Sequence, residues 1–143
     1  EGRVIGVNTA AIPSAQGLAF AVAINTVQWI TMEIMRHGRV RRGRLGVAAS
    51  TATLPRRWVR ENAWPASTGI RIGEVAPGSA AAAADLRTGD WIVGADGEPV
   101  GEQGDLLRLL IGERAGRPLA LKVLRPIAGV LSVVHILLTP SQR

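Results

Sequence analysis

The sequence predicts an α+β fold: a small β-barrel or sandwich carrying two to three short helices, preceded by a separate piece of two strands and a helix. Three observations lead there. The stretch from Val75 to Val100 passes through the turn residues Pro77-Gly78, then Ser79, five alanines, Gly89-Asp90, the apolar run Trp91-Ile92-Val93 and Asp96-Gly97. Serine suits a helix N-cap, alanine is the strongest helix former and Asp-Gly is favoured in tight hairpins, so a one-turn helix followed by two strands is expected. Apolar, β-rich runs recur around it at 69–75, 119–124 and 130–138. Helical spacing of apolar residues is confined to short windows, chiefly 25–35 and 105–111.

Composition narrows the function classes. A chain of 143 residues can hold one domain with a real core and part of a second. Its longest uninterrupted apolar run, Leu18 to Ile24, is far short of the roughly 20 residues of a membrane span. With no cysteine there is no disulfide or thiolate chemistry, and two isolated histidines, His37 and His135, offer no metal-ligand spacing, so neither metal nor cofactor is expected. The formal charge is +6, and all but one of the seventeen basic residues are arginine. Five arginines fall between Arg36 and Arg44. A run of like charge reads as a solvated linker, and the few aromatic residues form no repeated stacking platform, so nucleic acid is not expected as a partner.

Taken in order, Val4 to Ala11 and Leu18 to Ile24 read as strands around a loop, the second so continuously apolar that burial on both faces is expected. Asn25 to Met35 reads as a helix capped by Asn25 and ended by Gly38, with Val27, Ile30 and Ile34 on one face and Arg36 to Arg42 as a linker behind it. Val47 to Thr51 is a strand. Leu54 to Trp64 is a short helix with Leu54, Trp58 and Trp64 turned inward, stopped by Pro65. Asp105 to Ile111 is an apolar helix with Asp105 at its positive end, and a terminal hairpin is expected around Arg125 to Gly129.

The ordered succession from Val75 to Val100 resembles the middle of a PDZ domain of the kind attached to bacterial HtrA-type serine proteases. Asp85 stands where that family usually has glycine; aspartate is among the few other residues that tolerate a left-handed helix end. The beginning of the chain, Gly2 to Ala10 and Gly17 to Val22, resembles the last two strands of the HtrA trypsin-like domain. The resemblance implies a PDZ-like domain over 39–143, preceded at 1–38 by the end of a trypsin-like β-barrel and its linker helix. It also implies that Ala11 to Gln16 form a wall of the specificity pocket, that the catalytic serine lies upstream of Glu1, and that this chain has no proteolytic activity of its own. A bacterial periplasmic or cell-envelope location follows from the same resemblance.

Arg44-Leu45-Gly46-Val47 matches the x-Φ-G-Φ loop (Φ apolar) in which PDZ domains hold a peptide's free C-terminus. Such a loop must aim successive amides at one carboxylate, and glycine permits that curvature. Arg44, Leu45, Gly46 and Val47 are therefore the expected carboxylate-binding residues. Ala48 and Ala49, on the following strand, with Leu106, Leu109 and Leu110 on the late helix, are the expected groove, while Leu107 and Ile111 are expected in the core. The expected partners are C-terminal peptides or unfolded protein segments, taken up by strand addition. The other reading is a structural or homo-oligomerisation module, because the strands before Asn25 are apolar and unpartnered.

Overall fold

The computed structural model of the chain describes residues 2–11 and 19–142, which divide into two compact units, Glu1–Val40 and Arg41–Arg143. In the first unit β1 (Gly6–Ala11) pairs antiparallel with β2 (Ala19–Ala23), which runs straight into α1 (Ile24–His37). The helix begins one residue before the expected cap, and its N-cap, Ala23, supplies no side-chain bond. Asn25 is the second residue of the helix and so does not cap it; of the amides at that end, Ile24 donates to the Ile5 carbonyl at 3.0 Å. Gly38 closes α1 at φ 71°, its amide bonded to the Ile34 carbonyl at 2.8 Å. Double-faced burial of the second strand is not found: β2 pairs with β1 alone, and Phe20 is 58% exposed. Ile12 to Gln16, most of the expected pocket wall, lie outside the described residues.

The second unit begins inside the expected linker. The Arg41 carbonyl accepts from the Gly112 amide and Arg42 bridges Ile111, while Arg36 and His37 belong to α1. The arginine-rich stretch is therefore mostly structured backbone. From here the elements run β3 (Gly43–Arg44), β4 (Val47–Thr53), α2 (Arg56–Glu61), β5 (Thr68–Val75), α3 (Ala80–Ala83), β6 (Trp91–Ala95), β7 (Glu98–Pro99), α4 (Gln103–Leu109), β8 (Leu119–Ile127), β9 (Val130–Leu138) and β10 (Ser141–Gln142). The main sheet has the antiparallel order β4-β5-β6-β8-β9, with β7 on β6, and β3 pairs separately with β10. This is the expected mixed architecture. A main core of Leu45, Ile70, Ile72, Leu86, Ile92, Leu106, Leu110, Leu121, Val123 and Leu138 among others fills it, each such burial contributing about 1.5–3 kcal/mol.

A smaller apolar cluster joins Leu54 and Trp58 to Val93 and Leu124, with Trp64 packed against it 5.6 Å from the Trp58 ring. The inward placement of these residues is as expected, but α2 stops at Glu61, before Pro65, where Asn62 turns its side-chain amide onto the Trp58 carbonyl at 2.9 Å. The terminal hairpin is longer than expected. Its turn is only Ala128-Gly129, both at positive φ, so Arg125 lies inside β8 and not in a turn.

Candidate functional site

The loop from Arg44 to Val47 is shaped by what holds its carbonyls. The Arg44 carbonyl accepts from Ser141 Oγ at 3.2 Å, the Leu45 carbonyl from the Ala81 amide at 2.9 Å, and the Gly46 carbonyl from the Ala76 amide at 2.9 Å. In a trans peptide the N–H points opposite to the C=O of the same unit. Three carbonyls anchored in the fold thus turn the amides of Leu45, Gly46 and Val47 the other way, as a cradle of donors. The Ala80 carbonyl accepts from Ala84 at 3.1 Å in the same helical turn that aims Ala81 at Leu45, so the one-turn helix α3 polarises the Gly46 amide.

Gly46 is fixed by two constraints. Its φ is +78°, and a Cβ there would lie 2.3 Å from Ser79 Cβ. Ser79 in turn caps α3 by accepting from the Ala82 amide at 3.1 Å. The close approach of loop and cap explains why this backbone accepts only glycine.

Beyond the loop, β4 is an edge strand bonded to β5 alone. Val47 faces Val75, and donation from Ala76 to Gly46 marks that pair as the type that exchanges no bonds, so the Val47 N–H and C=O face the open edge. Ala49, two residues on, presents its own in the same direction. Opposite this edge runs α4. Its N-terminus carries a reciprocal cap between Glu102 and Asp105, whose Oδ2 accepts from the Gly101 and Glu102 amides at 3.0 and 3.1 Å. Two contacts tie α4 to β4 at that end: the Gln103 amide donates to Thr51 Oγ1 at 3.3 Å, and its side-chain Nε2 donates to the Ala49 carbonyl. At the other end the Gly43 amide donates to the Leu110 carbonyl.

Between β4 and α4 lies an open cavity of about 340 Å³ lined by Gly43, Arg44, Leu45, Gly46, Val47, Ala49, Ile70, Gln103, Leu106, Leu107 and Leu110. The anticipated loop residues, Ala49, Leu106 and Leu110 come together here. Ala48 and Leu109 lie off the lining: Ala48 alternates to the exposed outer face of β4 opposite Glu74, and Leu109 packs against the main core. Leu107, expected in the core, is 55% exposed at the cavity. The cause is which face of α4 meets β4: the bonds of Gln103 to Thr51 and Ala49 turn that face toward the strand, and helical spacing carries it on through 106–107 and 110. The apolar pattern alone gives no sign of Gln103; the Glu102-x-x-Asp105 spacing ahead of the leucines is the signal that brings it into the helix. Arg44 is exposed at the cavity mouth, with Arg42 also exposed nearby in the chain.

Behind α3 a buried cluster fixes its exit. Arg125 gives Asp90 two bonds, Nε to Oδ1 at 2.9 Å and Nη2 to Oδ2 at 2.8 Å, and reaches Asp85 through its carbonyl at 2.6 Å and Oδ2 at 3.3 Å. Asp90 also accepts from the Arg87 amide at 2.8 Å. Asp90 is 1% exposed and Arg125 9%, so the pair is held by fixed geometry in low dielectric, and the bonded Asp90 raises the guanidinium's already high pKa. Asp85 has the expected left-handed φ of 60°. Its carboxylate is held below its ordinary value, first by the Arg87 bond and further by Arg125.

The chain also has matches among known proteins. A family model described as a PDZ domain matches residues 43–133. HhoB of Synechocystis sp. is 36% identical over 131 residues, covering 87% of this chain and 32% of that protein. The periplasmic serine endoprotease DegP of Escherichia coli is 31% identical over 129 residues, covering 87% of this chain and 27% of DegP. The chain thus spans about a third or less of these relatives. Among solved structures, the HtrA-type protease AlgW with a tripeptide superposes with a TM-score of 0.73 at 27% identity, covering 99% of this chain and 46% of that one. The chain belongs to the HtrA/Deg family of serine proteases, with a PDZ domain at its C-terminal side and strands matching part of a protease domain before it.

Proposed function

We propose that the cavity between β4 and α4 receives the C-terminal end or an exposed apolar tail of a substrate or partner protein. One observation carries this: the carbonyls of Arg44, Leu45 and Gly46 are all bonded into the fold, leaving a row of amides turned the other way beside an open strand edge. A terminal carboxylate would accept from Leu45, Gly46 and Val47. The peptide main chain would then add to β4 antiparallel, using Val47 and Ala49. Its last side chain would meet Ile70, Leu106 and Leu110, a floor suited to small or aliphatic groups, while Leu107 walls the side. Arg44 at the mouth adds attraction for the carboxylate.

The chain's own contribution is proposed to be selection of substrates, with peptide-bond cleavage left to the serine endopeptidase of which such a domain is part. Its relatives include a protein named as periplasmic, which supports a role in protein quality control in the periplasm or cell envelope. An interface this small corresponds to a Kd on the order of 1–100 μM. Titration of one peptide as free acid and as C-terminal amide tests the reading, and the free acid should bind roughly 10-fold or more tightly, as loss of charge-assisted bonds requires. Equal affinities would remove the proposed role of residues 44–47.

A further inference from the structure

The free edge of β4 is already in use at one point. Its Ala49 carbonyl faces away from β5 and accepts from the side-chain amide of Gln103, the first residue of α4. Strand addition needs that acceptor, because a peptide laid antiparallel along β4 exchanges main-chain bonds with alternate residues of the edge, here Val47 and Ala49. The Ala49 carbonyl and the incoming amide therefore compete with Gln103 for one hydrogen-bond position. Gln103 is exposed, so its side chain has room to swing off the edge, and its main chain stays fastened through its own bond to Thr51 Oγ1.

We propose that Gln103 is an internal competitor for the peptide site: its amide stands in for the main-chain amide of the ligand on Ala49 and must be released before a peptide can pair along β4. The proposal rests on the peptide-groove reading. In the empty chain Gln103 satisfies an edge acceptor that would otherwise face an apolar cavity, which also discourages chance pairing of this strand with other chains. Ligand entry breaks that bond and makes one of the same kind, so the main-chain bond at Ala49 adds little net affinity. The Val47 and cradle bonds, which have no internal competitor in the described residues, supply the selectivity. Peptide affinity is thus set partly by a side chain that the bound ligand displaces.

The test uses the complete 143-residue chain and a labelled alanine-rich hexapeptide ending in valine, as free acid and as amide. Two variants are compared with the parent. Gln103→Ala removes the competing amide, and Gln103→Glu keeps the side-chain length but cannot donate to a carbonyl when ionised. Both should bind the free acid roughly 2- to 10-fold more tightly, the range a single net hydrogen bond provides, with the preference for acid over amide retained. In the parent, the Gln103 side-chain amide proton signals should be dispersed in the free chain and move to solvent-exposed positions at saturating peptide. Unchanged affinity in both variants, or weaker binding in both, overturns the competitor and leaves the groove standing. Loss of the acid-over-amide preference in the parent itself signals instead that the groove reading has failed.

Discussion

Gly46 sits where the cradle and α3 come closest, so a single methyl group there has two consequences. A φ of +78° costs an L-residue of this kind about 1–2 kcal/mol, and the new Cβ would meet Ser79 Cβ at 2.3 Å, so one of the two segments must move. Gly46→Ala should therefore lower stability by about 2 kcal/mol or more and abolish the preference for a free carboxylate. Chemical denaturation read beside the acid and amide titrations checks both, and a variant that keeps its acid preference would show that these amides do not seat the carboxylate. Leu107 makes a different point about single residues. Its identity suggests core, yet the docking of α4 on β4 through Gln103 leaves it 55% exposed on the cavity wall.

At the scale of elements, α3 is too short to be stable alone and is held from outside. Ser79 caps its start, and the Arg125 cluster grips the loop that leaves it. Since α3 in turn holds the Leu45 carbonyl, the cluster supports the cradle from behind. Asp85 gives this element a pH dependence. Its folded pKa is depressed, so its stabilisation is present above the ordinary value of 3.8 and is lost as pH falls through the lower folded value. The melting temperature should hold steady near neutrality and drop below about pH 4. Asp85→Asn, which keeps a residue tolerant of the left-handed conformation, should flatten part of that acid limb. An unchanged acid limb in thermal melts from pH 2 to 7 would show that the Asp85 ion pairs contribute nothing measurable.

For the whole molecule, the two units differ in how completely their apolar surface is covered. The second buries a main core and a smaller apolar cluster, whereas in the first Ile5 is 84%, Met35 81%, Val4 63% and Phe20 58% exposed. Exposed apolar groups of this kind favour self-association, which is the basis of the assembly-module reading, although the second unit also exposes Leu137 and Val130. Deleting residues 1–40 should leave peptide affinity within about twofold, because the residues that line the cavity all fall between Gly43 and Leu110, and should reduce particle size in light scattering. A large loss of affinity in the shortened chain would place part of the binding site in the first unit. No helix among the described residues is long and apolar enough to cross a membrane.

Local chemistry by itself determined much of this protein. Serine before alanines, Asp85 at a left-handed position, Asp96-Gly97 at a hairpin and glycine within Arg44-Leu45-Gly46-Val47 each act through backbone preferences that need no distant partner. The mixed fold and the position of the cradle were legible for that reason. Only the tertiary structure decided which face of α4 meets β4, that Arg125 belongs to a buried ion-pair cluster inside a strand, and that Gln103 occupies the edge of β4. Each of these depends on a partner between 35 and 54 positions away along the chain. Helix phase, charge pairing and edge occupancy are properties of neighbours in space, and a hydrophobic pattern read along one strand or helix carries no record of which neighbour will arrive.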